Sequence, residues 1–167
     1  PLNLLDKAKI YYKKNFLDFN NIRFYYLGTL GDHKNVFKLC DLFCFRNKSI
    51  LSILTSTTKE DTCNIIDRNY YDKYRESNIN FYHRLDDKKK NKLINKQDSF
   101  ISFSSHEGFC IPLFEAILLS KPVLVHQLEC FKDYLPDYYN FLDEQITYES
   151  LLESLMENYK NIEYTRE

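Results

Sequence analysis

Short apolar runs alternating with segments of helical period restrict this chain to one fold class. The runs are Arg23–Leu27 (RFYYL), Ile50–Leu54, Ile79–Tyr82, Phe100–Phe103 and Val123–Val125, with a candidate sixth at Asn140–Leu142. Each is too short for a helix and is apolar almost throughout, as strands buried on both faces are. Between them lie segments of helical spacing: residues 34–45, with Val36, Phe37, Cys40, Phe43 and Cys44 on the apolar side, then 60–75, 112–119 and 148–159. Residues 86–95 read as a polar helix or turn, and Leu2, Leu5, Ala8 and Tyr12 mark a leading helix or linker over 1–21. Strands alternating with helices predict an α/β, doubly wound parallel sheet of about six strands with helices on both faces. The default strand order 3-2-1-4-5-6 places strands one and four side by side, with a ligand crevice between the loops that follow them.

At 167 residues the chain is one domain, with 22–160 as the domain proper. Hydrophobic residues at 44% and charged residues at 28% exclude a disordered chain, and a net charge of −1 argues against nucleic acid as a partner. Five cysteines form no zinc-type pairs, so buried thiols in a reducing cytosol are expected, with no metal. No apolar run approaches a membrane span and no signal peptide is evident. The cluster Lys88-Lys89-Lys90 with Lys92 reads as a solvated helix face or turn, a phosphate or lipid-headgroup patch being the other reading. A start at Pro1 suggests a domain excised from a longer protein.

The two crevice loops are residues 28–34, after strand one, and residues 104–111, after strand four, and they carry the chemistry. Pro112 suits the first position of a helix, because the amide hydrogen it lacks would have no partner there. The free N–H groups of that turn form an anion site, Gly108 admits close backbone approach, and Lys34 can add a full positive charge. These groups suit a diphosphate. Glu107 precedes the helix and Glu115 lies one turn inside it; a carboxylate presents two acceptors to vicinal sugar hydroxyls. Glu107 as a loop surface residue and Glu115 as a first-turn acid that offsets the dipole remain alternatives from the pattern alone.

The segment resembles the signature of retaining GT-B glycosyltransferases, particularly family 4: Glu-Gly-Phe-x-x-Pro-x-x-Glu-Ala followed by Gly-Lys-Pro-Val. Here Glu107, Gly108, Phe109, Pro112, Glu115 and Ala116 fall at that spacing, followed by Ser120-Lys121-Pro122-Val123. Upstream, Leu27-Gly28 followed by Lys34-Asn35 is similar to the family's first strand, loop and helix start, and Asn80–His83 to its third strand. The likeness covers about residues 22–160, the nucleotide-sugar-binding, C-terminal half of such enzymes. It implies a donor-binding domain that passes a sugar from a nucleotide-diphosphate sugar to a glycan or lipid-linked acceptor, with retention, usually without a metal or other cofactor.

The resemblance also implies a role for each residue. Glu107 and Lys34 would be catalytic, Glu107 together with the backbone of Gly108, Phe109 and Cys110 meeting the donor hexose. Glu115 would hold the ribose, Ile111, Pro112 and Leu113 would face the diphosphate with Lys34, and Arg84 would lie at the base. The chain departs from the pattern at Thr29, where the family commonly has a phosphate-binding arginine, at Ser120 in place of glycine, and in having no N-terminal acceptor domain in this sequence; His83 also stands where the family usually has glycine. The family's N-terminal acceptor domain would be the missing partner, so this domain alone is expected to be inactive. The alternatives are a non-catalytic or weakly active scaffold domain, or a GT-B sugar-nucleotide epimerase or phosphorylase. A role in polysaccharide synthesis implies the cytoplasm, with peripheral contact at the inner face of a membrane left open.

Overall fold

The structure, a computed structural model, describes residues 21–44, 49–66, 68–119, 121–132, 135, 139–143 and 145–164. The expected leading helix and Ser120 lie outside the described residues. In chain order the elements are β1 (Arg23–Leu27), a 3-10 turn (Asp32–Lys34), α1 (Val36–Phe43), β2 (Ile50–Thr55), α2 (Lys59–Ile65), α3 (Arg68–Arg75) and β3 (Ile79–His83). They continue with α4 (Asp87–Ile94), β4 (Ser99–Ser102), α5 (Ile111–Leu118), β5 (Val123–Val125), a 3-10 turn (Glu129–Phe131) and α6 (Tyr148–Tyr164).

Every strand pair is parallel, and the sheet runs β3-β2-β1-β4-β5, so β1 and β4 are neighbours at the switch point as the sequence predicts. The described sheet has five strands, not six. The sixth candidate makes only an isolated bridge, His126 with Leu142, through the Leu142 N–H to the Val125 carbonyl at 3.0 Å. Asn158 explains the shortfall: its side chain accepts from the Asn140 N–H at 2.7 Å and donates to the Asn140 carbonyl at 3.0 Å. That residue's backbone groups are thereby satisfied outside any ladder.

Alternation along the strands sorts their side chains onto two buried faces. Phe24, Tyr26, Leu51, Ile53, Ile101 and Leu124 face one layer, covered by Leu39 and Phe43 of α1, Tyr71 and Tyr74 of α3, and Leu151 and Leu155 of α6. Tyr25, Leu54, Phe100, Val123 and Val125 face the other, under Ile94 of α4 and Leu113 and Ala116 of α5. Burying each large apolar side chain contributes roughly 1.5–3 kcal/mol, which explains why polar α3 and α4 dock at all.

Two helices differ from expectation, and at a third the structure selects one of two readings. Residues 34–45 are not one helix: Asn35 adopts a left-handed backbone (φ 49°), ends the 3-10 turn and starts α1 at Val36. Asparagine tolerates that conformation at small cost. Residues 60–75 form two helices, because Ile66 turns extended (φ −101°, ψ 131°) and buries its side chain while Ile65 stays exposed. Thr58 caps the first of them by accepting the Asp61 N–H at 3.0 Å. Residues 86–95 are a helix and not a turn, capped by Asp86, whose carboxylate accepts the Lys89 N–H at 2.8 Å.

Candidate functional site

Hydrogen bonds stitch the two crevice loops to each other. The Ser105 N–H and hydroxyl both donate to the His33 carbonyl, at 2.8 and 3.2 Å, and the Asn35 side-chain amide donates to the Phe103 carbonyl at 3.0 Å. Beneath them the Tyr26 ring, 1% exposed, donates its hydroxyl to the Thr29 carbonyl at 2.6 Å. A Cβ at Gly28 would stand 2.7 Å from that hydroxyl, so only glycine fits the turn. Lys34, held between His33 and Asn35, thus reaches Glu107: its ammonium donates to Oε1 at 2.6 Å. The two side chains are only 17% and 10% exposed, so the pair stands in partly dried surroundings where its attraction is strong.

The start of α5 lies on the same loop. Cys110 is the N-cap but caps with no side-chain bond, and Ile111 is the first helical residue, so Pro112 occupies the second position rather than the first. Its missing N–H is harmless there too, since a helix leaves its first four N–H groups unpaired. The Leu113 N–H bonds to the Cys110 carbonyl at 3.0 Å and its side chain is fully buried. Leu113 therefore supports the turn from within the core. Among the described residues, the Cys110 and Ile111 N–H groups have no protein acceptor, and these are the turn's available donors. A Cβ at Gly108 would meet nothing within 4 Å, so that backbone borders open space. Phe109 is exposed and stacked on Phe114, ring centroids 4.9 Å apart. Burial pushes the Cys110 thiol up to about 11, which keeps it protonated and chemically quiet.

A cavity of about 480 Å³ opens beside these loops, at the C-terminal ends of β1, β2 and β3. Leu27, Leu54, Tyr82 and Leu85 make its apolar wall, and its charged groups are Arg84 and the Lys90–Asp87 pair. Arg84 has a left-handed backbone (φ 46°); its N–H is bonded to the Thr55 carbonyl at 2.8 Å and its Nε to the Ser56 carbonyl at 3.1 Å. Both groups are committed to the loop after β2. His83 is tied in as well: Nδ1 donates to the Thr57 carbonyl at 3.0 Å, which leaves Nε2 to accept from the Tyr71 hydroxyl at 3.2 Å.

The sequence gives no sign of the supporting tyrosines. Burial, and then the Glu107 carboxylate, raise the Tyr26 phenol above the ordinary tyrosine value. Burial, and then the Glu115 carboxylate, do the same to Tyr25. The Tyr25 hydroxyl is buried with no hydrogen-bond partner among the described residues. In the lysine cluster, Lys89 pairs with the N-cap Asp86 and Lys90 with Asp87, at 3.1 Å each; Lys90 turns toward the cavity, while Lys88, Lys89 and Lys92 lie on the exposed face of α4. Among the described residues no group of His, Cys, Asp and Glu is placed to hold a metal, and no helix is long and apolar enough to cross a membrane. A second hollow of about 800 Å³, lined by Asn35, Lys38, Ser104, Ser105 and His126 among others, lies on the other side of the stitched loops.

Several solved structures share this fold. WaaG, a glycosyltransferase involved in lipopolysaccharide biosynthesis, is 19% identical with a TM-score of 0.61, over 93% of this chain and 42% of its own. Anabaena Alr3699/HepE, in complex with UDP-glucose, is 16% identical with a TM-score of 0.63, over 96% and 48%. The C-terminal domain of a glycosyl transferase group 1 family protein (LpcC) from Francisella tularensis is 13% identical with a TM-score of 0.60, over 99% and 93%. This chain thus spans less than half of the first two and nearly all of the third. A comparison with curated protein sequences finds no match. Residues 68–166, more than half of the chain and including both Glu107 and Glu115, match the family model for glycosyl transferases group 1, and the chain belongs to that family.

Proposed function

We propose that this chain is the donor-binding, C-terminal half of a retaining, family 4-like glycosyltransferase that takes a hexose from a nucleotide-diphosphate sugar. The observation that carries the reading is the Lys34–Glu107 pair at 2.6 Å beside the uncapped start of α5. Lys34 and the Cys110 and Ile111 N–H groups receive the diphosphate. The bond from the anomeric carbon to the diphosphate oxygen breaks with its electron pair passing to the diphosphate, where the fixed positive groups stabilise the charge; an acceptor hydroxyl bonds the anomeric carbon on the same face and gives its proton to the departing diphosphate. Glu107, with one oxygen on Lys34, offers the other to a donor hydroxyl, and Glu115 takes the ribose. The 480 Å³ cavity receives the base against Leu27, Leu54 and Tyr82. The Alr3699/HepE complex with UDP-glucose makes a uridine donor the first to try.

The acceptor is a glycan or lipid-linked sugar, and a second domain completes the cleft. No metal or cofactor takes part. The domain alone does not transfer sugar, because half of the cleft is supplied from outside it. Such an enzyme works in polysaccharide synthesis in the cytoplasm.

Thr29 favours a second reading, a domain that binds nucleotide sugars with weakened or no catalysis. Its side chain is exposed at the loop and brings no charge where the family commonly has arginine. Ligand-observed NMR with UDP, GDP, ADP and their glucose or mannose conjugates tests the shared claim. Binding of at least one diphosphate, lost on Glu115→Ala, is expected. A chain that ignores the whole panel is not a donor-binding domain.

A further inference from the structure

Tyr25 occupies an unusual position for a phenol. It is 1% exposed in the layer between β1 and helices α4 and α5, packed edge-on against Phe100 at 5.4 Å. Its ring shares that layer with Leu113 and Ala116, which flank Glu115 on α5, and with Leu54, part of the nucleoside cavity's wall. Leu27, two residues on along the same strand face, lines the same cavity. The ring therefore belongs to the layer that joins the cavity wall to the turn of α5 carrying Glu115. Leaving a buried hydroxyl without an acceptor costs stability, and phenylalanine would fill the site without that cost. Among the described residues the Tyr25 hydroxyl is the buried side-chain polar atom left unsatisfied, and the Glu115 carboxylate stands close enough that its charge, after burial, raises the phenol above the ordinary tyrosine value.

We propose that Tyr25 is a positioning residue of the nucleoside subsite, donating its hydroxyl to the Glu115 carboxylate when that carboxylate turns to take the ribose hydroxyls. This rests on the reading of Glu115 as the ribose ligand. In the empty site the phenol is unsatisfied; with ligand bound, one Glu115 oxygen meets the ribose and the other accepts from Tyr25. The buried donor fixes the rotamer of a carboxylate that is otherwise half-exposed, and so removes part of the ordering cost of binding. Ligand binding also relieves the unsatisfied group, which couples nucleoside recognition to the stability of this layer.

The experiment is Tyr25→Phe in the 167-residue chain, read by calorimetric affinity for UDP and for 2′,3′-dideoxy-UDP and by thermal melting without ligand. UDP should bind about fivefold more weakly. The dideoxy compound should be nearly unaffected, because Tyr25 acts only through the carboxylate that holds the ribose hydroxyls. The unliganded protein should melt at the same temperature or higher. In a Glu115→Gln background, Tyr25→Phe should cost much less, the mark of two residues acting as a unit. Equal losses for both nucleotides, or no loss for UDP, overturn the positioning role. If Glu115→Gln weakens UDP and Tyr25→Phe does not, only this inference falls; if wild-type protein binds no UDP, the ribose reading falls with it.

Discussion

The Lys34 ammonium and the Glu107 carboxylate meet at 2.6 Å although 73 residues separate them, each on a loop leaving one of the two strands at the switch point. Under the proposed function the contact joins a phosphate ligand to a sugar ligand and links the two subsites electrostatically. Glu107→Gln keeps an acceptor near Lys34 but removes its negative charge. UDP should then bind as well as to wild type or better, whereas the extra affinity for UDP-glucose over UDP should shrink by about threefold or more. Calorimetry with both ligands measures the split; parallel losses for both would place Glu107 in structural support instead.

Thr29 uses only its backbone in the loop, through the Tyr26 hydroxyl. Thr29→Arg therefore keeps the turn while adding a charge-assisted donor facing the anion site. UDP affinity should rise about tenfold or more. If an arginine there leaves the affinity unchanged, the diphosphate does not lie against this loop.

Lys121 is 4% exposed, and its ammonium donates to the Gln97 carbonyl at 2.5 Å. Burial lowers its pKa to about 8. An ammonium with a folded pKa below its unfolded value binds fewer protons when folded. Its burden on stability is thus full below about pH 8 and lifts as pH rises toward the ordinary lysine value of about 10.4. Relative to Lys121→Met, wild type should gain melting temperature between pH 7 and pH 9.5. A difference that stays constant over that range would show that the buried ammonium does not titrate there.

Cys40 and Cys110 are buried, and burial raises both thiols, whereas Cys44, Cys63 and Cys130 are half-buried. Native protein at pH 7.5 should therefore label at the latter three first, with Cys40 and Cys110 reacting on the unfolding timescale. Peptide mapping after a short maleimide pulse gives the order. Early labelling of Cys110 would mean that the start of α5 opens in solution.

Much of this was legible before any coordinates. Arg23–Leu27 is a strand with the bounds its apolar run predicts, and the order of β1 and β4 follows from alternation of strands and helices. Lys34 and Glu107 are brought together as the strand order implies. What escaped the sequence depends on single side chains bonding to backbone. Asn158 removes a strand by taking both backbone groups of Asn140, and no local pattern announces a partner 18 residues away. Asn35 shortens α1 through one left-handed residue, and Ile66 divides a helix whose apolar spacing runs through it. Tyr25 and Tyr26 read as ordinary strand residues, because period two tells which face a ring takes but not where its hydroxyl ends.

The most direct measurement is calorimetric titration of wild type and Lys34→Ala with UDP and with uridine. Wild type should bind UDP more tightly than uridine. Lys34→Ala should weaken UDP by about ten- to a hundredfold, the worth of one charge-assisted contact, and leave uridine nearly unchanged. UDP affinity that is absent from wild type, or untouched by Lys34→Ala, would contradict the proposed donor site.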